Sequence, residues 1–246
     1  MGLWHVFYAD WQMECCGTPF SVGDEVSWPL MLVGSDRVLG GGWHDQLTEL
    51  VGPVEHVGGV RVVREETGLT VALAADPDSE EDLGPRPGDR MRSVGLLSVE
   101  RHGAVWPHAE GRVRAVQVLT QVYAESAPGS RSWEPVRRER GLRAVDRCPK
   151  WFTETEGKRG ADGRGRQSRE PGAVVTLDVP GTDSRLSYAV REARGIPHQD
   201  AKPGAETEGL SAADLAALLQ TLSTAAGPRG RRGRSGGRGG RHGGHA

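Results

Sequence analysis

Between Leu3 and Asp146 the chain is cut into short runs of β-branched, aromatic and aliphatic residues, each closed within a few positions by glycine, proline or aspartate. Such close punctuation leaves little room for helices of ordinary length and reads as a succession of strands. The runs are Leu3 to Tyr8, Glu25 to Val33, Val51 to Val57, Gly59 to Arg64, Leu69 to Ala74, Val94 to Arg101, Arg112 to Tyr123 and Leu142 to Asp146. Pro29, inside the second, marks an edge position or a bend, because proline cannot donate to a β-ladder. No run alternates with an amphipathic helix, which argues against a parallel α/β sheet. The expected fold is therefore mainly β: a small antiparallel barrel, SH3-like or OB-like, or a sandwich, with one C-terminal amphipathic helix.

Not all of the 246 residues can belong to one core, since only 36% are hydrophobic and 51 are glycine or proline. The pattern predicts a barrel-like domain over 1–152 and a disordered linker over 153–172, TETEGKRGADGRGRQSREPG, which buries too little apolar surface to offset its ordering entropy. The acidic, proline-rich loop 76–89 has the same character. Beyond the linker, AVVTLDV and RLSYAV (173–179 and 185–190) flank PGTDS as a hairpin. A helix follows, capped by Ser211 and Asp214, with Leu215, Leu218, Leu219 and Leu222 on one stripe. Residues 173–226 are expected to pack on the first domain, and the stripe docks there or mediates self-association or contact with a protein partner.

Charge is unevenly placed. Residues 227–246 hold six arginines (Arg229, Arg231, Arg232, Arg234, Arg238 and Arg241) and no acid, so 1–226 carries 25 basic against 33 acidic residues. The tail is expected to be disordered, and it offers nucleic acid a charged tether. The N-terminal sequence lacks the basic segment of a secretory signal and no run reaches membrane-spanning length, so no membrane association is expected. A cytoplasmic location follows, in which the three cysteines are thiols.

Candidate chemistry concentrates in DWQMECCGTPFSVGDEVSW, residues 10–28. Adjacent cysteines in an extended strand point to opposite faces, so Cys15 and Cys16 share a metal only if a turn intervenes, which Gly17 can supply. The chain has no CxxC or HxxxH pair, and packing is the main expectation for the cysteines. The alternative is a metal or thiol site combining Cys15 and Cys16 with Cys148 and a histidine such as His5, His44 or His56. Glu14 beside the pair disfavours an activated thiolate. The Trp43-His44-Asp45 cluster, with Glu49 and His56, reads as a solvated loop. No nucleophile elbow, phosphate loop or dinucleotide fingerprint is present, so neither an enzyme nor a cofactor is indicated. Core packing is the ordinary role for the tryptophans; the alternative is an aromatic binding face for a protein segment or a base, made by Trp11 and Trp28 with Trp43.

Taken with the short strand before it, WQMECCGTPFSVGDEVSW resembles the N-terminal signature of a family of uncharacterised actinobacterial proteins, a domain of unknown function. Scarce lysine and isoleucine, and no asparagine, fit a GC-rich coding sequence of that origin. The resemblance implies no activity and no site residue. The functional expectation is a non-enzymatic binding or interaction module, with a nucleic-acid-associated protein as the alternative.

Overall fold

The computed structural model describes residues 2–65, 68–74 and 85–182, together with Ser187, Val190, Glu192 and Ala193. Between Gly2 and Val179 the described residues form, in order, β1 (Gly2–Ala9), the short helix α1 (Asp10–Cys16), β2 (Glu25–Trp28), β3 (Leu30–Val33), β4 (Thr48–Val57), β5 (Val60–Arg64), β6 (Thr70–Leu73), β7 (Arg90–Val99), β8 (Ala109–Glu125), β9 (Trp133–Val145), β10 (Glu154–Arg159) and β11 (Gly165–Val179). The mainly β class holds, and each of the eight runs singled out between Leu3 and Asp146 falls largely on strand. Pro29 acts as a divider: β2 pairs with β8, whereas β3 pairs with β7 and β6.

A single small barrel does not describe the architecture. The pairings β7–β3, β3–β6, β6–β5, β5–β4 and β4–β7 close a ring of five strands. That ring is fused through β7 to β1, and onward through β11 and β8, into an eleven-stranded sheet. Two pairings are parallel, β1 with β7 and β3 with β6. Parallel strands need long crossovers and are invisible to hairpin-style sequence reading.

β1 is the hub. Alternate side chains of a strand point to opposite faces, and here both faces are covered. Val6 and Tyr8 enter the larger core with Phe20, Trp28, Leu97, Val99 and Val175, and Phe7 and Ala9 enter a second core with Trp43, Leu96, Leu119 and Val174. Tyr8 meets Trp28 edge-on with ring centroids 5.3 Å apart, and Phe20 meets Trp28 at 4.9 Å. The second core is roofed by the loop before β4, where Leu39, Gly40, Gly41 and Gly42 all have φ between 51° and 83°. Arg140 locks this left-handed run from β9: it donates to the carbonyls of Leu39, Gly41 and Gly42 and lies 4.1 Å over the Trp43 ring.

Two expectations about the C-terminal half are revised. Residues 154–159 and 165–169 form a paired β10–β11 hairpin where a disordered linker was expected. Apolar burial of Val174, Val175 and Leu177 fixes the far half of β11, and the same strand carries the ladder back along β8 and β10. Charged side chains then pair across it, Arg169 with Glu154 and Arg143 with Glu170. Nor do 173–179 and 185–190 make a hairpin: β11 is sandwiched between β1 and β8, and Ser187 and Val190 have helical backbone. One compact unit accordingly spans Met1–Gln199 rather than ending at 152. Most of the acidic loop, the leucine stripe at 215–222 and the arginine tail at 227–246 lie outside the described residues. Among the described residues no helix is long and apolar enough to cross a membrane.

Candidate metal centre

Parallel pairing of β1 and β7, with Val6 opposite Leu97 and Phe7 opposite Ser98, makes the segments that leave their C-terminal ends neighbours. Residues 10–16 leave one strand and residues 100–103 the other. A seven-residue helix is too short to persist on propensity, and α1 is held by its contacts. Gln12, only 2% exposed, continues the edge of β7: its amide donates to the Val99 carbonyl at 2.7 Å, and its oxygen accepts from the Arg101 N–H at 2.8 Å. Met13 is buried beside it. At the other end the Lys150 ammonium caps the helix, donating to the carbonyls of Met13 and Gly17 at 2.6 and 3.0 Å, where a cation also meets the negative end of the helix dipole. Gly17 permits this packing, because a Cβ there would lie 2.6 Å from Met13 Sδ and 2.8 Å from the Tyr8 hydroxyl.

With Gln12 and Met13 facing inward, Trp11, Cys15 and Cys16 are left on the exposed side. The cysteines are thus helical, not extended, and both reach the same place. His102 Nε2 lies 3.6 Å from Cys15 Sγ and 4.0 Å from Cys16 Sγ, and the three ligand atoms fall within 4.8 Å of one another. Trp11 stacks on the imidazole with centroids 5.1 Å apart. Glu100 takes the His102 backbone N–H at 2.8 Å and sets a carboxylate oxygen 3.8 Å from Nδ1, which favours a proton on that nitrogen and a free lone pair on Nε2.

These separations approach those of a chelate. Zinc bonds of about 2.3 Å to sulfur and 2.0 Å to nitrogen give tetrahedral S···N and S···S edges of roughly 3.5 and 3.8 Å. His102 Nε2 stands close to the S···N edge length from Cys15 Sγ and about half an ångström beyond it from Cys16 Sγ, so a small side-chain adjustment would bring three exposed ligands round one cation. Partial desolvation and the adjacent Cys15 thiol hold the Cys16 thiol above its ordinary range, so a bound cation, not a local field, would be needed to keep it as thiolate at neutral pH.

The other residues singled out in the sequence are dispersed. Cys148 is fully buried in the larger core, and burial pushes its thiol up to about 12, so in this structure it packs in the interior while Cys15 and Cys16 face outward. Trp28 and Trp43 are 3% and 1% exposed and also belong to the cores, which leaves Trp11, at 52%, as the member of the proposed aromatic face that reaches the surface. His44 and His56 are exposed elsewhere, and Glu49 pairs with Arg92. His102 was missed because its proximity depends on a parallel pairing across 90 residues of sequence. The local hint was a histidine beside a glycine directly after a strand, as in many surface turns.

The fold and site together define a mainly β protein with an exposed dithiol–imidazole cluster at the ends of two parallel strands. The chain belongs to a family of unknown function, DUF6578, whose family model matches residues 2–179. The match runs from β1 through β11 and takes in Cys15, Cys16 and His102. No curated protein and no solved structure matches the chain.

Proposed function

We propose that this protein is a binding module for a thiophilic divalent cation, Zn²⁺ by the ligand set, held by Cys15, Cys16 and His102. The carrying observation is the convergence of two thiols and one imidazole nitrogen within 4.8 Å of one another, the ligand types of a zinc site. Binding is a better reading than catalysis because all three residues are exposed, whereas catalytic centres exclude water and orient a substrate against the metal. The reading takes the protein to be cytoplasmic, where thiols remain reduced, and its arginine- and glycine-rich composition supports an actinobacterial source.

Titration of reduced full-length protein with Co²⁺ as a spectroscopic stand-in tests it. One equivalent should produce thiolate-to-metal charge-transfer bands and quench tryptophan fluorescence through Trp11, and Zn²⁺ should displace the cobalt. Cys16→Ser and His102→Ala should each weaken binding at least tenfold, in line with the loss of one of three ligands, while Cys148→Ser should leave it unchanged. Unchanged affinity in Cys16→Ser or His102→Ala, or loss of the bands in Cys148→Ser, would overturn the assignment.

A further inference from the structure

β9 is bonded along one side only. Its register follows β8 from Val116 opposite Val145 to Glu125 opposite Trp133, and among the described residues β8 is its one strand partner. Among the described residues no strand bonds to its other edge along Gly141–Val145, an arrangement that invites a further strand. Eight of its thirteen residues are exposed, including Leu142.

The strand is interrupted by a built bulge. Between the pairs Tyr123–Pro135 and Gln121–Arg140, four residues (Val136, Arg137, Arg138 and Glu139) oppose the single residue Val122. Gln121, 1% exposed, fills the loop from behind, donating to the carbonyls of Val136 and Glu139 and accepting from Arg140 Nε. Arg138 is held at φ 68°, a conformation that costs a non-glycine residue energy and is most often retained at functional positions. A buried glutamine and a strained backbone thus serve to push Arg137 and Arg138 outward.

Charge is polarised to match. Residues 131–170 contain twelve lysines and arginines against seven acids, whereas residues 1–130 contain nine against nineteen. Several of the acids in 131–170 are already engaged: Glu139 with Arg166, Glu154 with Arg169 and Glu170 with Arg143. Among the described residues, Arg131, Arg137, Arg138 and Arg147 are exposed and make no ion pair.

We propose that β9 is a docking strand for an extended acidic segment of a partner polypeptide, which adds to that edge along Gly141–Val145 and sets its carboxylates against Arg137 and Arg138. A polypeptide fits better than a nucleic acid because a strand edge presents backbone donors and acceptors at the repeat of a β-strand, which only another peptide backbone complements. The arginines supply selection for acidic sequence and speed the encounter.

The test is anisotropy of a labelled peptide alternating glutamate and valine against full-length protein, at low and physiological salt, with hydrogen exchange read on the complex. The tail arginines attract the same probe, so the decisive readouts are local. Binding should slow exchange of the 141–145 amides, and the R137E/R138E double variant, whose side chains are exposed and unpaired, should weaken it at least tenfold while retaining the wild-type circular dichroism. Affinity unchanged in R137E/R138E, no protection of 141–145, or equal affinity for a single-stranded DNA of the same charge would each overturn the proposal.

Discussion

β7 and β9 are both long strands, and they live in opposite conditions. β7 bonds to β1, β3 and β4, and Leu96, Leu97 and Val99 are buried in its second half. β9 bonds to β8 alone, and its second half, GLRAV, is almost wholly exposed. The difference lies less in strand-forming residues than in the number of neighbours a strand acquires. A strand closed into a ring is committed to stability, while one with an open edge must be kept from aggregation by charge and bulges. β9 carries both, and they are the same features that suit it to a partner.

Paired substitutions would break this contrast or sharpen it. The largest effect should come from Leu97→Ala, which opens a cavity where the ring meets β1: urea unfolding should show a loss of about 3 kcal/mol, against less than about 0.5 kcal/mol for Leu142→Ala on β9. Equal costs would mean that β9 is covered in solution. Next in size is Gln12→Ala, which strips α1 of its bonds to the end of β7. Unfolding should register about 2 kcal/mol for the orphaned Arg101 amide and Val99 carbonyl, and Co²⁺ affinity should fall although no ligand is touched.

Arg140→Ala tests where β9 meets the second core. It removes three carbonyl contacts and the cation held over Trp43, and a loss of about 1 to 2 kcal/mol is expected, with faster hydrogen exchange in 39–42. The smallest effect is electrostatic. Burial would raise the Glu170 carboxyl, but its bonds from Thr153 and Arg143 outweigh that and hold it below its ordinary value. A carboxyl lowered by folding contributes stability above its unfolded pKa, and that contribution fades as pH falls through the acid range. Glu170→Gln should therefore cost stability near neutrality and cost nothing at low pH, which flattens the acid limb of stability against pH.

Strand positions were legible because turn residues and β-branched clusters act locally. Pairing was not, since the β1–β7 contact depends on which strands find each other, and no residue in LWHVFY or GLLSV specifies a parallel neighbour. The helical state of DWQMECC was hidden for a related reason: seven residues give too short a window for helical periodicity, and Gln12 and Lys150 supply the support from outside. Order in 153–172 escaped notice because it comes from a ladder extended off β11 and from cross-strand ion pairs, neither of which shows in local hydrophobicity. The metal site inherits all of this. Two of its ligands were visible as a pair, and the third became a neighbour only through the topology.

The pairing of β1 with β11 also bears on how the chain is made. Gly2 lies opposite Val179 and Ala9 opposite Gly172, so the first of the described strands to be synthesised waits for the last of them before its second edge is satisfied. Throughout translation an apolar segment, GLWHVFYA, is therefore held without its final partner, and contacts of such long sequence separation form slowly. Production of this protein should respond more to chaperone supply and growth temperature than its folded stability alone would suggest.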